Sequence, residues 1–389
     1  MTSISRRKFL TTSALAFGAT LLPCQAPVSA KSDKKSNASG TIFKNDAPDA
    51  PWKWSREVDY YHQLPNGNVV CGICPNSCAL SDGDRSVCRS RVNINGKLYT
   101  LAYGNPCAVH LDPIEKKPLF HFHPQSKALS IAATGCNFRC LNCQNWQISQ
   151  VKPEAVRHYD LFPEAVVRKA KDHQADAIAY TYTEPTTYFE YMHDTAKIAR
   201  QNGIFNLWVS NGFINNEPLL DLCKVMDAAN VNLKSFSDKL YRKLNGGRLQ
   251  PVLNTFKTMH DQGVHFEMTT LVVPGYVDDP EMIKSMCGWI LKNLGPDHPL
   301  HFLRFFPRYK LDRLPPTPVS KLTKFRELAM KEGIRYVYVG NVPGHEGNHT
   351  YCHNCGKLLI ERTGYHIPEF NLSGSHCKFC QTRIPGVWV

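Results

Sequence analysis

The chain has 389 residues, 42% of them hydrophobic, and a formal charge of +13. That length exceeds what one hydrophobic core usually organises, so a large domain with smaller attachments is expected. After the first thirty positions there is no run of about eighteen uncharged apolar residues that could serve as a membrane-spanning helix. No Lys/Arg block is interleaved with aromatics, so the basic surplus fits a solvated surface better than a nucleic-acid platform.

Ser5-Arg6-Arg7-Lys8-Phe9-Leu10 forms a twin-arginine pattern, followed by an apolar run from Ala14 to Leu22 and by Val28-Ser29-Ala30. Residues 1–30 are expected to be an export signal of the twin-arginine type, leading to the periplasm with any cofactor loaded beforehand in the cytoplasm. A basic N-terminal helix is the plainer alternative. Residues 31–59, rich in Lys, Ser, Asn, Asp and Pro, predict a flexible tether. A small Cys-rich module follows over 60–127.

From 128 to 345 short apolar runs recur at Ala128–Ala133, Ala177–Thr183, Phe205–Ser210, Val231–Phe236, His265–Val273 and His301–Phe306. Amphipathic segments lie between them, several ended by Gly203, Gly263, Gly295 or Gly333. The alternation predicts an α/β fold of parallel strands with right-handed crossovers. Six units suggest a partial (β/α)6 barrel, and a doubly wound sheet would give the same pattern. In both, chemistry belongs at the C-terminal ends of the strands.

Eleven of the fifteen cysteines fall into three tight groups, which argues for metal ligands rather than disulfides; Cys24, Cys107, Cys223 and Cys287 are left over. Cys136, Cys140 and Cys143 form a C-x3-C-x2-C triad in the loop leaving the first barrel run. Three thiolates so spaced can hold three corners of a [4Fe-4S] cubane and leave the fourth iron open. Zinc would need a fourth ligand from afar.

In its triad after a first strand the chain resembles the radical S-adenosylmethionine (SAM) superfamily. The resemblance narrows toward the pyruvate formate-lyase activating enzymes and the AmmeMemoRadiSam proteins through Asp112–Leu119, Tyr182–Thr186, Thr269–Gly275, Arg304–Tyr309 and Tyr338–Gly347. It implies a [4Fe-4S] cluster that chelates SAM, cleaves it reductively to methionine and a 5′-deoxyadenosyl radical, and abstracts hydrogen from a protein or small molecule. An external low-potential electron donor is implied, with a glycyl-radical protein or Memo-type and AMMECR-type proteins as partners. An iron-sulfur electron carrier without SAM chemistry is the alternative.

The same likeness places Glu184 at the SAM ammonium, although a carboxylate capping the helix opened by Pro185 is a competing role. Asn211, in Ser210-Asn211-Gly212, is a candidate for the SAM ribose or carboxylate, and a plain turn explains it almost as well. Lys234 follows Asn232, where relatives usually carry Asp, and is a candidate partner for a SAM or substrate carboxylate. Arg304 and His301 are candidates to face the cavity, with a core role favoured for His301.

Over 346–389, Cys352-x2-Cys355 and Cys377-x2-Cys380 make a four-thiolate set, for zinc first and a rubredoxin-like iron second, and metal binding would supply the stability of so small a unit. Iron there would open a route for electrons to the barrel. Cys71, Cys74, Cys78 and Cys88 form a further candidate set whose spacing matches no standard ferredoxin run. A structural metal, an auxiliary cluster and unligated thiols all remain open for it.

Overall fold

An eight-stranded sheet dominates the computed structural model, which describes residues 42–388. The twin-arginine pattern, Cys24 and the start of the expected tether lie outside the described residues. The strands run β1 (Ala108–Pro113), β2 (Lys127–Ala132), β3 (Ala177–Tyr180), β4 (Phe205–Ser210), β5 (Ala228–Asn232), β6 (His265–Val272), β7 (Leu300–Arg304) and β8 (Val337–Gly340). They are laid down in sequence order, with β1 antiparallel to β2 and every later pair parallel. Helices α1 (Pro163–Asp172), α2 (Phe189–Gln201), α3 (Asn216–Cys223), α4 (Leu249–Asp261), α5 (Pro280–Asn293) and α6 (Val319–Glu332) make the six crossovers. Continuously buried strands such as Ala177-Ile178-Ala179-Tyr180 are what a sheet covered on both faces requires. Among the described residues β1 and β8 do not pair, so this is a partial barrel.

The sheet is larger than the six expected units, because β1 and β8 extend its edges. Strand β5 lies earlier than the apolar run Val231–Phe236 suggested. Side chains replace the ladder beyond Asn232: Thr270 Oγ1 donates to the Leu233 carbonyl, and the Tyr241 hydroxyl accepts from Lys234 N–H. Residues 42–59, expected as tether, are held in place. Arg56–Glu57 pairs with Lys97–Thr100, and Lys44 Nζ meets the buried Asp84 carboxylate at 2.6 Å.

The N-terminal module consists of two three-stranded antiparallel sheets. The C-terminal one consists of two short hairpins whose Leu359, Ile360, Leu372 and Cys377 pack on Phe120, Tyr336 and Tyr338. Tyr336 and Tyr338 lie at the N-terminal end of β8, so this module sits at the barrel floor, and the triad loop leaves the opposite end of β2. A strand of five or six residues spans about 17–20 Å, which separates the two cysteine sets by the height of the barrel. Among the described residues no helix is long and apolar enough to cross a membrane.

Candidate functional site

At the C-terminal ends of the strands a cavity of about 560 Å³ is lined by Cys136, Cys140, Cys143, Glu184, Asn211 and Lys234 together. That volume suits a cofactor-sized ligand. His301 and Arg304 do not reach it. His301 Nε2 binds Glu267 Oε2 at 2.6 Å in the floor, and Arg304 Nε donates to the Thr317 carbonyl.

The triad thiols are half-buried, and each is met by a polar neighbour. Phe138 N–H points at Cys136 Sγ at 3.4 Å, Asn245 Nδ2 donates to Cys140 Sγ at 3.2 Å, and Ser149 Oγ lies 3.2 Å from Cys143 Sγ. Burial, and then the charges of Glu184, Cys140 and Cys143, push the Cys136 thiol well above its ordinary range. Three thiolates can share this loop only around a cationic centre, and the donors aimed at sulfur are those that tune a cluster. The residues therefore fit a [4Fe-4S] group with Cys136, Cys140 and Cys143 as its ligands.

Asn245 carries no signal in the sequence. It ends a π-helical turn, Tyr241–Asn245, closed by Gly246 at φ +70°. Such turns cluster at functional sites. This one also offers the carbonyls of Asn245 and Leu244 to the amides of Arg139 and Leu141 at 2.7 and 2.8 Å, clamping the triad loop.

Glu184 takes the expected capping place and also lines the cavity. Its Oε1 accepts from Thr186 N–H, Thr186 Oγ1 and Ser210 Oγ, and its Oε2 accepts from Asn211 N–H at 2.8 Å. It caps the turn Pro185–Tyr188 and still faces the cavity. Burial raises its pKa, and the bond from Asn211 offsets that in part. The Asn211 amide reaches Asn137 Oδ1 at 2.8 Å, and its own Oδ1 accepts from Phe213 N–H, so the expected turn is present as well. Lys234 Nζ has Asn232 Oδ1 at 3.5 Å, and among the described residues no carboxylate pairs with it.

The cavity wall near Lys116 and Lys117 joins two of the segments that carry the family resemblance, Asp112–Leu119 and Tyr182–Thr186. Asp112 accepts from Lys117 Nζ at 2.6 Å and from the Tyr182 hydroxyl. Burial lowers Lys117 to about 8, with Asp112 working against that shift. Burial would raise Asp112, but Lys117 holds it well below the usual carboxylate range.

At the floor the Sγ atoms of Cys352, Cys355, Cys377 and Cys380 all lie within 4.8 Å of one another, close enough for one tetrahedral ion. Burial pushes the Cys352 thiol up to about 12, while Thr382 draws Cys380 down to about 6. Cys377→Ser is expected to release one metal ion per chain, lower the thermal midpoint and expose the segment after residue 346 to protease, because the metal supplies much of so small a module's folding energy. Elemental analysis and limited proteolysis would check this; a variant with unchanged metal content would refute it.

Residues 130–287 match the family model described as the radical SAM superfamily. An uncharacterized protein of Methanocaldococcus jannaschii is 46% identical over 331 residues, covering 85% of this chain and 98% of that one. The pyruvate formate-lyase 1-activating enzyme of Escherichia coli is 24% identical over 221 residues, covering 52% of this chain and 89% of the enzyme. Among solved structures, a radical SAM methyltransferase from Sphaerobacter thermophilus aligns with a TM-score of 0.47 at 12% identity, covering 78% of this chain and 81% of that one.

Proposed function

The chain belongs to the radical SAM superfamily, and from that premise we propose that it cleaves SAM at the triad to abstract hydrogen from a protein or small-molecule substrate. One observation carries the reading: the three thiols open onto the same cavity as Glu184, Asn211 and Lys234. When bound, the cluster supplies the electron that breaks the sulfonium carbon-sulfur bond, giving methionine and a 5′-deoxyadenosyl radical. The remaining lone pairs of Glu184 Oε2 receive the SAM ammonium, and Lys234 meets a carboxylate of SAM or substrate.

The likeness to an activating enzyme supports a glycyl-radical protein as target, and the sequence resemblance extends the range to Memo-type and AMMECR-type partners. An external low-potential donor supplies the electron, and the twin-arginine pattern supports loading before export.

The test is anaerobic reconstitution with iron and sulfide, reduction, addition of SAM and quantification of 5′-deoxyadenosine. Wild type is expected to form it, and Cys140→Ala to form none. A fully loaded wild type that yields no product would leave an electron carrier as the reading.

A further inference from the structure

Cys71, Cys74, Cys78 and Cys88 are all buried, and together they line one pocket of the N-terminal module. Unlike the C-terminal four, they are not gathered into a set tight enough for a single ion. Four thiolates around a wider space are the ligand set of an iron-sulfur cluster.

The surroundings of the pocket supply what a buried anionic cluster requires. Arg91 is fully buried, and only its Nη2 is used, donating to Glu190 Oε1 and Oε2 at 3.0 and 2.8 Å. Its Nε and Nη1 have no partner. The charge of this guanidinium acts on Cys71 and Cys78, and the charges of Cys71 and Cys88 act on it in return. These two nitrogens carry three N–H bonds left unmade in the interior, on a guanidinium whose charge acts on thiols of the pocket and would offset that of an anionic cluster. Ser86 Oγ, 3.0 Å from Cys88 Sγ, adds a further donor.

The pocket also adjoins the triad. Asn137, next in the chain after Cys136, is one of its walls, as are Thr186 and Thr187 of the turn that Glu184 caps. Asn76 Nδ2 donates to the Asn137 carbonyl at 2.9 Å, and Ser90 Oγ donates to the Thr134 carbonyl at 2.7 Å. We infer that Cys71, Cys74, Cys78 and Cys88 bind a second [4Fe-4S] cluster, which relays single electrons to the triad site through the shared Asn137 wall. With all four corners held by protein it offers no open iron, so its chemistry is electron transfer alone. A reduced one-electron flavin or iron-sulfur carrier gives up one electron and is oxidised. The second cluster gains that electron and returns to its oxidised state on handing it to the triad. The relay rests on the radical SAM reading; the cluster itself does not.

The full chain with Cys136, Cys140 and Cys143 all changed to Ala is reconstituted anaerobically, and acid-labile sulfide, iron and zinc are counted. About four sulfides should remain per chain against about eight in wild type, as two cubanes require. After reduction the residual electron paramagnetic resonance signal should be indifferent to SAM. No sulfide in this variant, or two zinc ions per wild-type chain, would overturn the second cluster. Cys74→Ala should lose the other half of the sulfide and fail to cleave SAM with reduced flavodoxin while dithionite still drives it. Equal cleavage with both donors would overturn the relay. If Cys74→Ala does not fold, the triple variant alone still decides the cluster. Four retained sulfides with no SAM cleavage by wild type would defeat the functional proposal and leave the second cluster standing.

Discussion

Gly247→Val is expected to strip the triad of its iron, although the residue is no ligand. A Cβ at position 247 would lie 2.2 Å from Phe138 Cε1 and 2.6 Å from Cζ. Phe138 is fully buried between the first two triad cysteines and is fixed by Phe213 and Tyr241, with ring centroids 5.0 and 6.2 Å away. Its amide points at Cys136 Sγ and its carbonyl accepts from Gln150, so the ring cannot move without the loop. Overpacking of this kind costs about 1–3 kcal/mol where the core can yield. Here the strain falls on a ligand loop, so iron content and 5′-deoxyadenosine yield should fall together. Gly288→Ala is the control, since nothing lies within 4 Å of its Cβ and the site is helical. Full iron content in Gly247→Val would show that the triad holds its iron without the clamp from the π-helical turn.

Glu267→Ala is expected to be the most destabilising single change at the barrel floor. The carboxylate accepts from the backbone N–H groups of Phe120 and His121 at 2.7 Å each and binds His301 Nε2, all out of water. Each buried donor left unpaired costs about 1–3 kcal/mol, so the sum is a large share of a domain's stability. The same group predicts an acid transition. Burial would raise the Glu267 pKa, but the His265 and His301 contacts hold it well below the ordinary carboxylate value. Burial lowers His121 to about 4. Both groups bind fewer protons folded than unfolded, so stability is full above an unfolded histidine's pKa of about 6.5 and falls as pH drops toward 4. Thermal melts at pH 7.5, 6 and 5 should show a falling midpoint in wild type, carried by His121, and a fall at least as steep in Glu267→Gln, because the Glu267 charge favours protonated His121. A midpoint independent of pH would remove the floor network from the account.

The parts of the site that were legible are those written locally. Cys136, Cys140 and Cys143 lie within eight positions, and each C-terminal pair within four, so spacing alone announces ligand chemistry. The parallel sheet showed in its apolar runs. Its edges did not, because β1 carries His110 and Asp112 among its apolar residues and β8 is short. Asn245 and Glu267 were silent for another reason: what makes them matter is a sulfur and a pair of amides more than one hundred positions away in the chain. Asn211 and Glu184 could be named as candidates and do line the cavity, but their internal hydrogen bonds, which show that they also build the loop, needed the fold.

The floor junction has a further consequence, for the order in which the molecule can be assembled. His121 Nδ1 meets the carbonyl of Pro385, 264 positions later, and Val387 pairs with the chain at residues 121–123. Closing a loop of that length costs about 5 kcal/mol of chain entropy, recovered only when the whole interface forms at once. During synthesis the strip from Phe120 to His123 emerges early and must wait, uncovered, for residues made more than two hundred and fifty positions later. The barrel can thus begin to form on the ribosome before its floor closes, and the long sequence separation makes that closure a late step.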